Sequence, residues 1–219
     1  MFRGYYVFTS VPYRWVIWLV YPLLAVLGCI TVQTGVFGLL PEFAYGPGLC
    51  AVILGSALPM VETVQDFFLF GGIHRKAEGH FEYLKSSENG KRVYMSALVL
   101  DHVRRALTIA LVYLGNVLFA VYTTDMVLEG EVLWEFAGYF CWTICMSTIG
   151  VFAARFSRQL WLTIAIAYGL NLLAILGNYL FSNVEGYAYI FVLVALTVGI
   201  CRMSIWLALK KLERSYYDS

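Results

Sequence analysis

Arg104-Arg105-Ala106-Leu107-Thr108-Ile109-Ala110-Leu111-Val112-Tyr113-Leu114-Gly115-Asn116-Val117-Leu118-Phe119-Ala120-Val121-Tyr122-Thr123-Thr124-Asp125 holds the logic of the whole chain. Two bases stand at one end, an uncharged run from Ala106 to Thr124 follows, and an acid closes it. A run of that length is a membrane-crossing helix, which needs about 20 apolar residues. Similar uncharged runs cover Trp15 to Pro41, Phe43 to Val61, Phe136 to Ala154 and Gln159 to Val184, while Gly186 to Leu209 contains only Arg202. A transmembrane barrel would show short alternating segments instead. The expected fold is therefore all-α: a single domain of 219 residues with spans at 15–40, 47–70, 103–124, 133–154, 160–181 and 187–209.

Charge then orients the spans. The fifteen Lys and Arg residues all fall in alternate connections: Arg3 and Arg14; Arg75 to Arg105; Arg155 and Arg158; and Arg202 to Arg214. Glu42, Asp125, Glu129, Glu131, Glu135 and Glu185 occupy the other connections, with no base among them. Short cytoplasmic loops retain Lys and Arg, so both termini are expected in the cytoplasm. The net charge of +1 thus hides an asymmetry between the two faces. That asymmetry reflects orientation in a lipid bilayer, and no basic, aromatic-interleaved domain for nucleic acid exists.

Several chemistries find no footing. There is no Walker A pattern, so no ATP is bound in the P-loop manner. His74, His80 and His102 are isolated from one another, and no catalytic or metal-ligand set is expected. Cys29, Cys50, Cys141, Cys145 and Cys201 all lie in apolar runs, without the spacing of a disulfide framework. Ala137, Cys141 and Cys145 form a small-residue stripe suited to helix packing, as do the pairs Ala51/Gly55 and Ala165/Gly169. The first span is too long for a signal h-region, lacks a small-x-small cleavage pattern and reads as a retained anchor. Before it, Phe2, Tyr5, Tyr6, Phe8 and Tyr13 suit a segment lying at headgroup level.

Within the spans, Glu62 and Asp66 are the principal polar candidates. They sit at i, i+4 on one helix face, just after Pro59. Ionisable groups at such depth face a bundle interior or a water-filled path. Two kinds of reading stay open: a polar patch on a translocation pathway or a proton site, and, against these, an ion-pair cluster with Arg104, Arg105 or Arg202 or simple interfacial placement of Asp66. Arg202 could alternatively snorkel to the base-rich surface. Asn171 and Asn178 share a face of the fifth span, where they either hydrogen-bond a neighbouring helix or line a pathway.

The longest polar connection lies between spans two and three. Its core, Glu78-Gly79-His80-Phe81-Glu82-Tyr83-Leu84-Lys85, suits a short surface helix, and Ser86-Ser87-Glu88-Asn89-Gly90 is a break. From Lys91 a second helical pattern runs into the third span. This segment, at about 74–92, resembles the inner loop of ABC exporter permeases of the type-two export superfamily. There an acidic-Gly start, a helix ending in Leu-Lys-Ser, a turn and a basic residue lead into the third span. Glu88 stands where that family usually has Pro. The resemblance implies that residues 78–85 are a coupling helix docking on separate ABC ATPase subunits. It also implies pairing with a second copy or a homologous permease chain. ATP and Mg would be bound by the partner ATPase and no cofactor by this chain. The implied cargo is an amphipathic peptide, such as a toxin or bacteriocin, or a hydrophobic drug. Different classes of function remain alongside it: a substrate-binding membrane component of an energy-coupled importer, or a non-transporting immunity or signalling protein.

Overall fold

The computed structural model describes residues 2–40, 42, 44–70, 84, 86–124, 127, 129–157, 159–181 and 187–214. Among these, every regular element is helical. A short helix α1 (Phe2–Phe8) precedes six longer ones: α2 (Val11–Thr34), α3 (Pro47–Phe70), α4 (Gly90–Thr124), α5 (Gly130–Phe156), α6 (Leu160–Phe181) and α7 (Ala188–Arg214). All six are long and apolar enough to cross a membrane, as the chain of uncharged runs requires. Their outward faces carry large apolar side chains, among them Leu24, Leu111, Trp161, Leu172 and Phe191, as helices facing an apolar surrounding do.

Local chemistry sets the breaks. The first span, α2, stops at Thr34, short of the expected residue 40, because Gly35 turns left-handed with φ of +63°. Val36, Phe37 and Gly38 also take positive φ, and the turn is held by the Val36 and Leu40 N–H groups donating to the Thr31 and Gly35 carbonyls. Within α2, residues Val16–Val20 form a π-helical turn just before Pro22. Proline has no N–H to reach the Trp18 carbonyl, so the preceding turn opens. By contrast, α3 runs unbroken through Pro59. Its Thr63 hydroxyl donates to the Pro59 carbonyl at 2.6 Å.

In the bundle α3 is the central post, packed on α4, α5 and α6, and α5 lies against α6 and α7. The N-terminal helix α1 crosses α4, and α2 packs chiefly on α4 as well. One apolar cluster, from Cys29, Cys50, Ala51, Leu54, Ile109, Val112 and Tyr139, fills the acidic end. A second, from Tyr5, Ile17, Leu69, Phe70, Leu84, Tyr94, Leu98 and Leu212, fills the base-rich end. α5 packs tightly on α3 and α6 at Gly150, where an added Cβ would lie 1.9 Å from the Thr63 Oγ1 and 2.8 Å from a Leu170 methyl. Gly169, by contrast, has nothing within 4 Å, so its pairing with Ala165 is not a close helix contact. Cys145 is buried and Cys141 half-buried on the packed side of α5.

Overpacking should therefore separate these two glycines. Gly150→Ala is expected to lower stability by about 1–3 kcal/mol, and Gly169→Ala to leave it unchanged or slightly raised. Thermal unfolding of the purified variants in one detergent measures the difference.

Candidate functional site: a buried charge cluster

Six charged side chains meet where α3, α4 and α5 converge near the base-rich end. Glu62 and Asp66 come from α3, Asp101, Arg104 and Arg105 from α4, and Arg155 from the last turn of α5. Helical spacing aligns them: 62 and 66 lie at i, i+4, and 101, 104 and 105 at i, i+3 and i+4. Each is buried, with no more than 3% of its surface exposed.

The pairing is dense. Arg104 grips Glu62 with both terminal nitrogens, Nη1 to Oε1 at 3.3 Å and Nη2 to Oε2 at 2.7 Å, while its Nε donates to Asp101 at 3.2 Å. Arg105 bridges all three carboxylates: Nε to Glu62 at 3.1 Å, and Nη2 to Asp66 at 3.2 Å and to Asp101. Arg155 binds Asp66 through Nε, at 3.2 Å to either oxygen, and through Nη2 at 3.0 Å. Its Nη2 also lies 3.6 Å from Asp101. Three guanidiniums thus face three carboxylates, and the formal charge of the cluster is zero. Lone ions in lipid are expensive, and this closure of charge makes their burial tolerable.

A neutral fringe extends the network to α7. Arg155 Nη1 donates to the Ser204 hydroxyl at 3.0 Å and lies 3.0 Å from His102 Nε2. A guanidinium cannot accept, so His102 Nε2 is the acceptor and its proton sits on Nδ1. That Nδ1 is 3.6 Å from Cys201 Sγ and donates toward it. Held this way, the imidazole cannot take a proton from Cys201, so the two do not form a nucleophile and base. Among the described residues no group of three or more His, Cys, Asp or Glu could hold a metal ion.

Of the expected site residues, Glu62 and Asp66 are brought together with Arg104 and Arg105, which is the ion-pair arrangement. Arg202 takes no part. It is exposed on α7 and makes no ion pair with any described residue, and Arg155 fills the place. Asp101, Arg155, His102 and Ser204 are cluster members that loop-by-loop reading passes over. The spacing of Asp101, Arg104 and Arg105 carried the missing signal. Asn171 donates to the Ser56 carbonyl of α3 at 3.2 Å, so it joins two helices. The side chain of Asn178 lies outside the described residues.

Glu78, Gly79, His80, Phe81, Glu82, Tyr83 and Lys85 also lie outside the described residues. Leu84 does not: it is fully buried in the chain's own core, grouped with Phe70, Tyr94 and Tyr5. A leucine spent on that core cannot also fill a partner's groove, which corrects its place in the expected docking face.

The chain matches no family model, no curated protein and no solved structure.

Removing one member of a buried pair strands its partner's charge, at about 3–5 kcal/mol. Asp66→Asn and Arg155→Gln should each cost that much, whereas Arg202→Gln should stay within about 0.5 kcal/mol. Thermal unfolding in detergent reads both, and a large loss from Arg202→Gln would show that the cluster is misassigned.

Proposed function

We propose that this chain is the membrane-spanning permease subunit of an ATP-driven exporter. In this reading two permease chains, identical or homologous, form the pathway and separate ABC ATPase subunits drive it. Both termini lie in the cytoplasm, in a bacterial plasma membrane, and ATP and Mg are bound on the partner chains. The transported class is an amphipathic peptide or a hydrophobic drug.

One observation carries the reading beyond the sequence resemblance. The connection between α3 and α4 is fastened at its two ends and at an interior point. Phe70 ends α3 and Tyr94 lies in the first turns of α4, and both are packed with Leu84 in one core cluster. Asp66 lies one turn before Phe70, and Asp101 two turns beyond Tyr94, both within the charge cluster. A push on the connection would therefore reach α3, α4 and α5 together, because the ion pairs between them cannot slide independently. That is the mechanical property a docking element for a motor needs. The docking side chains in this reading are Phe81, Tyr83, Glu82 and Lys85, with Leu84 as the anchor that holds them to the bundle.

Anchor and docking residues separate in one experiment. With stand-alone ABC ATPases from the source genome co-expressed one at a time, the purified wild type should retain one of them. Phe81→Ala and Tyr83→Ala should lose the ATPase while melting like the wild type. Leu84→Ala should instead destabilise the chain by about 2–5 kcal/mol, the cost of a large-to-small core change. A wild-type chain that never retains an ATPase, with unaltered behaviour of Phe81→Ala and Tyr83→Ala, would refute the permease reading.

A further inference from the structure

At the base-rich end, α1 and the first turns of α2 enclose a recess of about 330 Å³, lined by Tyr5, Tyr6, Val11, Arg14, Trp15 and Trp18. Its walls are mainly aromatic, with one cation. The turn between the two helices is tied down: the Thr9 hydroxyl donates to the Tyr5 carbonyl at 2.9 Å, and Ser10 Oγ caps α2 by accepting from the Tyr13 N–H at 3.4 Å.

Arg14 is held in one position. Its Nε and Nη2 donate to the Thr9 carbonyl at 3.1 and 2.9 Å, and its guanidinium carbon lies 4.1 Å from the centre of the Tyr6 ring. These contacts use one edge and one face of the fork. Nη1 donates to none of the described residues, and Arg14 makes no ion pair among them. A guanidinium fixed this way is a ready partner for an oxyanion, because the cost of ordering it has already been met within the protein.

We propose that this recess binds the phosphate headgroup of an anionic membrane phospholipid, with Arg14 as the phosphate-binding group. Three observations select that ligand. Trp15 is 64% and Trp18 39% exposed, so the recess is flanked by rings of the kind that settle at headgroup level. Val11, Val16 and Leu19 are exposed on the same turns of α2, which offers an acyl chain an apolar track away from the phosphate. Third, the Tyr6 face is already occupied by the cation of Arg14, so the aromatic box has no open face there for a choline ammonium. A headgroup with net negative charge is favoured over a zwitterionic one.

The site also reaches the charge cluster. Tyr5 lines the recess, and its buried hydroxyl lies within electrostatic reach of Asp101, Arg104 and Arg105. Its ring is packed in the same core cluster as Leu84, Phe70 and Tyr94. A lipid seated between α1 and α2 would thus bear on the helices that the cluster fastens. The assignment holds whether or not the chain works with an ATPase.

Lipid titration of the purified full chain by native mass spectrometry tests it, using phosphatidylglycerol and phosphatidylcholine with the same acyl chains. Phosphatidylglycerol is expected to be retained at about tenfold lower concentration, the scale of one charge-assisted contact. Arg14→Gln should erase that preference, and Val11→Trp, which fills the recess and leaves Arg14 in place, should erase it too. Inorganic phosphate in large excess should displace nothing. Equal retention of the two lipids, or a preference that survives both variants, would overturn the site. Displacement by inorganic phosphate would overturn the lipid assignment in favour of a soluble anion. If Arg14→Gln melts far below the wild type, the Val11→Trp result alone decides.

Discussion

Six charges buried between apolar helices impose a condition that the rest of this bundle has to meet. Each carboxylate must keep its guanidiniums within hydrogen-bond reach, since an unpaired ion there is far more costly than a lost apolar contact. Glu62 and Asp66 on α3, Asp101, Arg104 and Arg105 on α4, and Arg155 on α5 satisfy the condition together. Ser204 brings α7 into the same network. Helix packing between apolar faces tolerates sliding by a turn, because one leucine replaces another. Bidentate ion pairs do not, so the cluster fixes the register of the helices that share it.

That constraint explains why the base-rich end is organised more tightly than hydrophobicity alone requires. Directly below the cluster, Phe70, Leu84, Tyr94 and Tyr5 bring together the end of α3, the following connection, the start of α4 and the N-terminal helix. Beside it, Arg155 also stacks at 5.3 Å from the centre of the Phe70 ring. The charge cluster and the aromatic cluster are therefore continuous. Elements that would otherwise be peripheral, α1 and the α3–α4 connection, are attached to the one part of the bundle that cannot readily deform.

The six spans were legible because lipid leaves a coarse signal: five uncharged runs and a sixth interrupted by Arg202 alone, each long enough to cross a bilayer. Glu62, Asp66, Arg104 and Arg105 were legible for the same reason, as charges that interrupt or abut those runs. Arg202 misled because depth along a helix says nothing about direction around it. Ser204 faces the cluster, and Arg202, two residues earlier, is turned by about 200° at 3.6 residues per turn onto the exposed face. Arg155 was hidden by its position at the end of a span, where a base reads as an orientation signal whichever way its side chain points. The end of α2 escaped because apolar Val36, Phe37, Leu39 and Leu40 prolong the hydrophobic run past Gly35, whose left-handed turn stops the helix.

The central claim is that the ion pairs between α3 and α5 act as a unit that sets the arrangement of the bundle. A double-mutant cycle on Asp66 and Arg155 tests it most directly, using Asp66→Leu, Arg155→Met and the two combined, with unfolding free energy in a mild detergent as the readout. If the cluster is the governing constraint, the double variant will recover much of what either single one loses, and the coupling energy will reach about 2 kcal/mol or more. Additive losses, with coupling below about 0.5 kcal/mol, would contradict the account and leave apolar packing as what holds these helices in place.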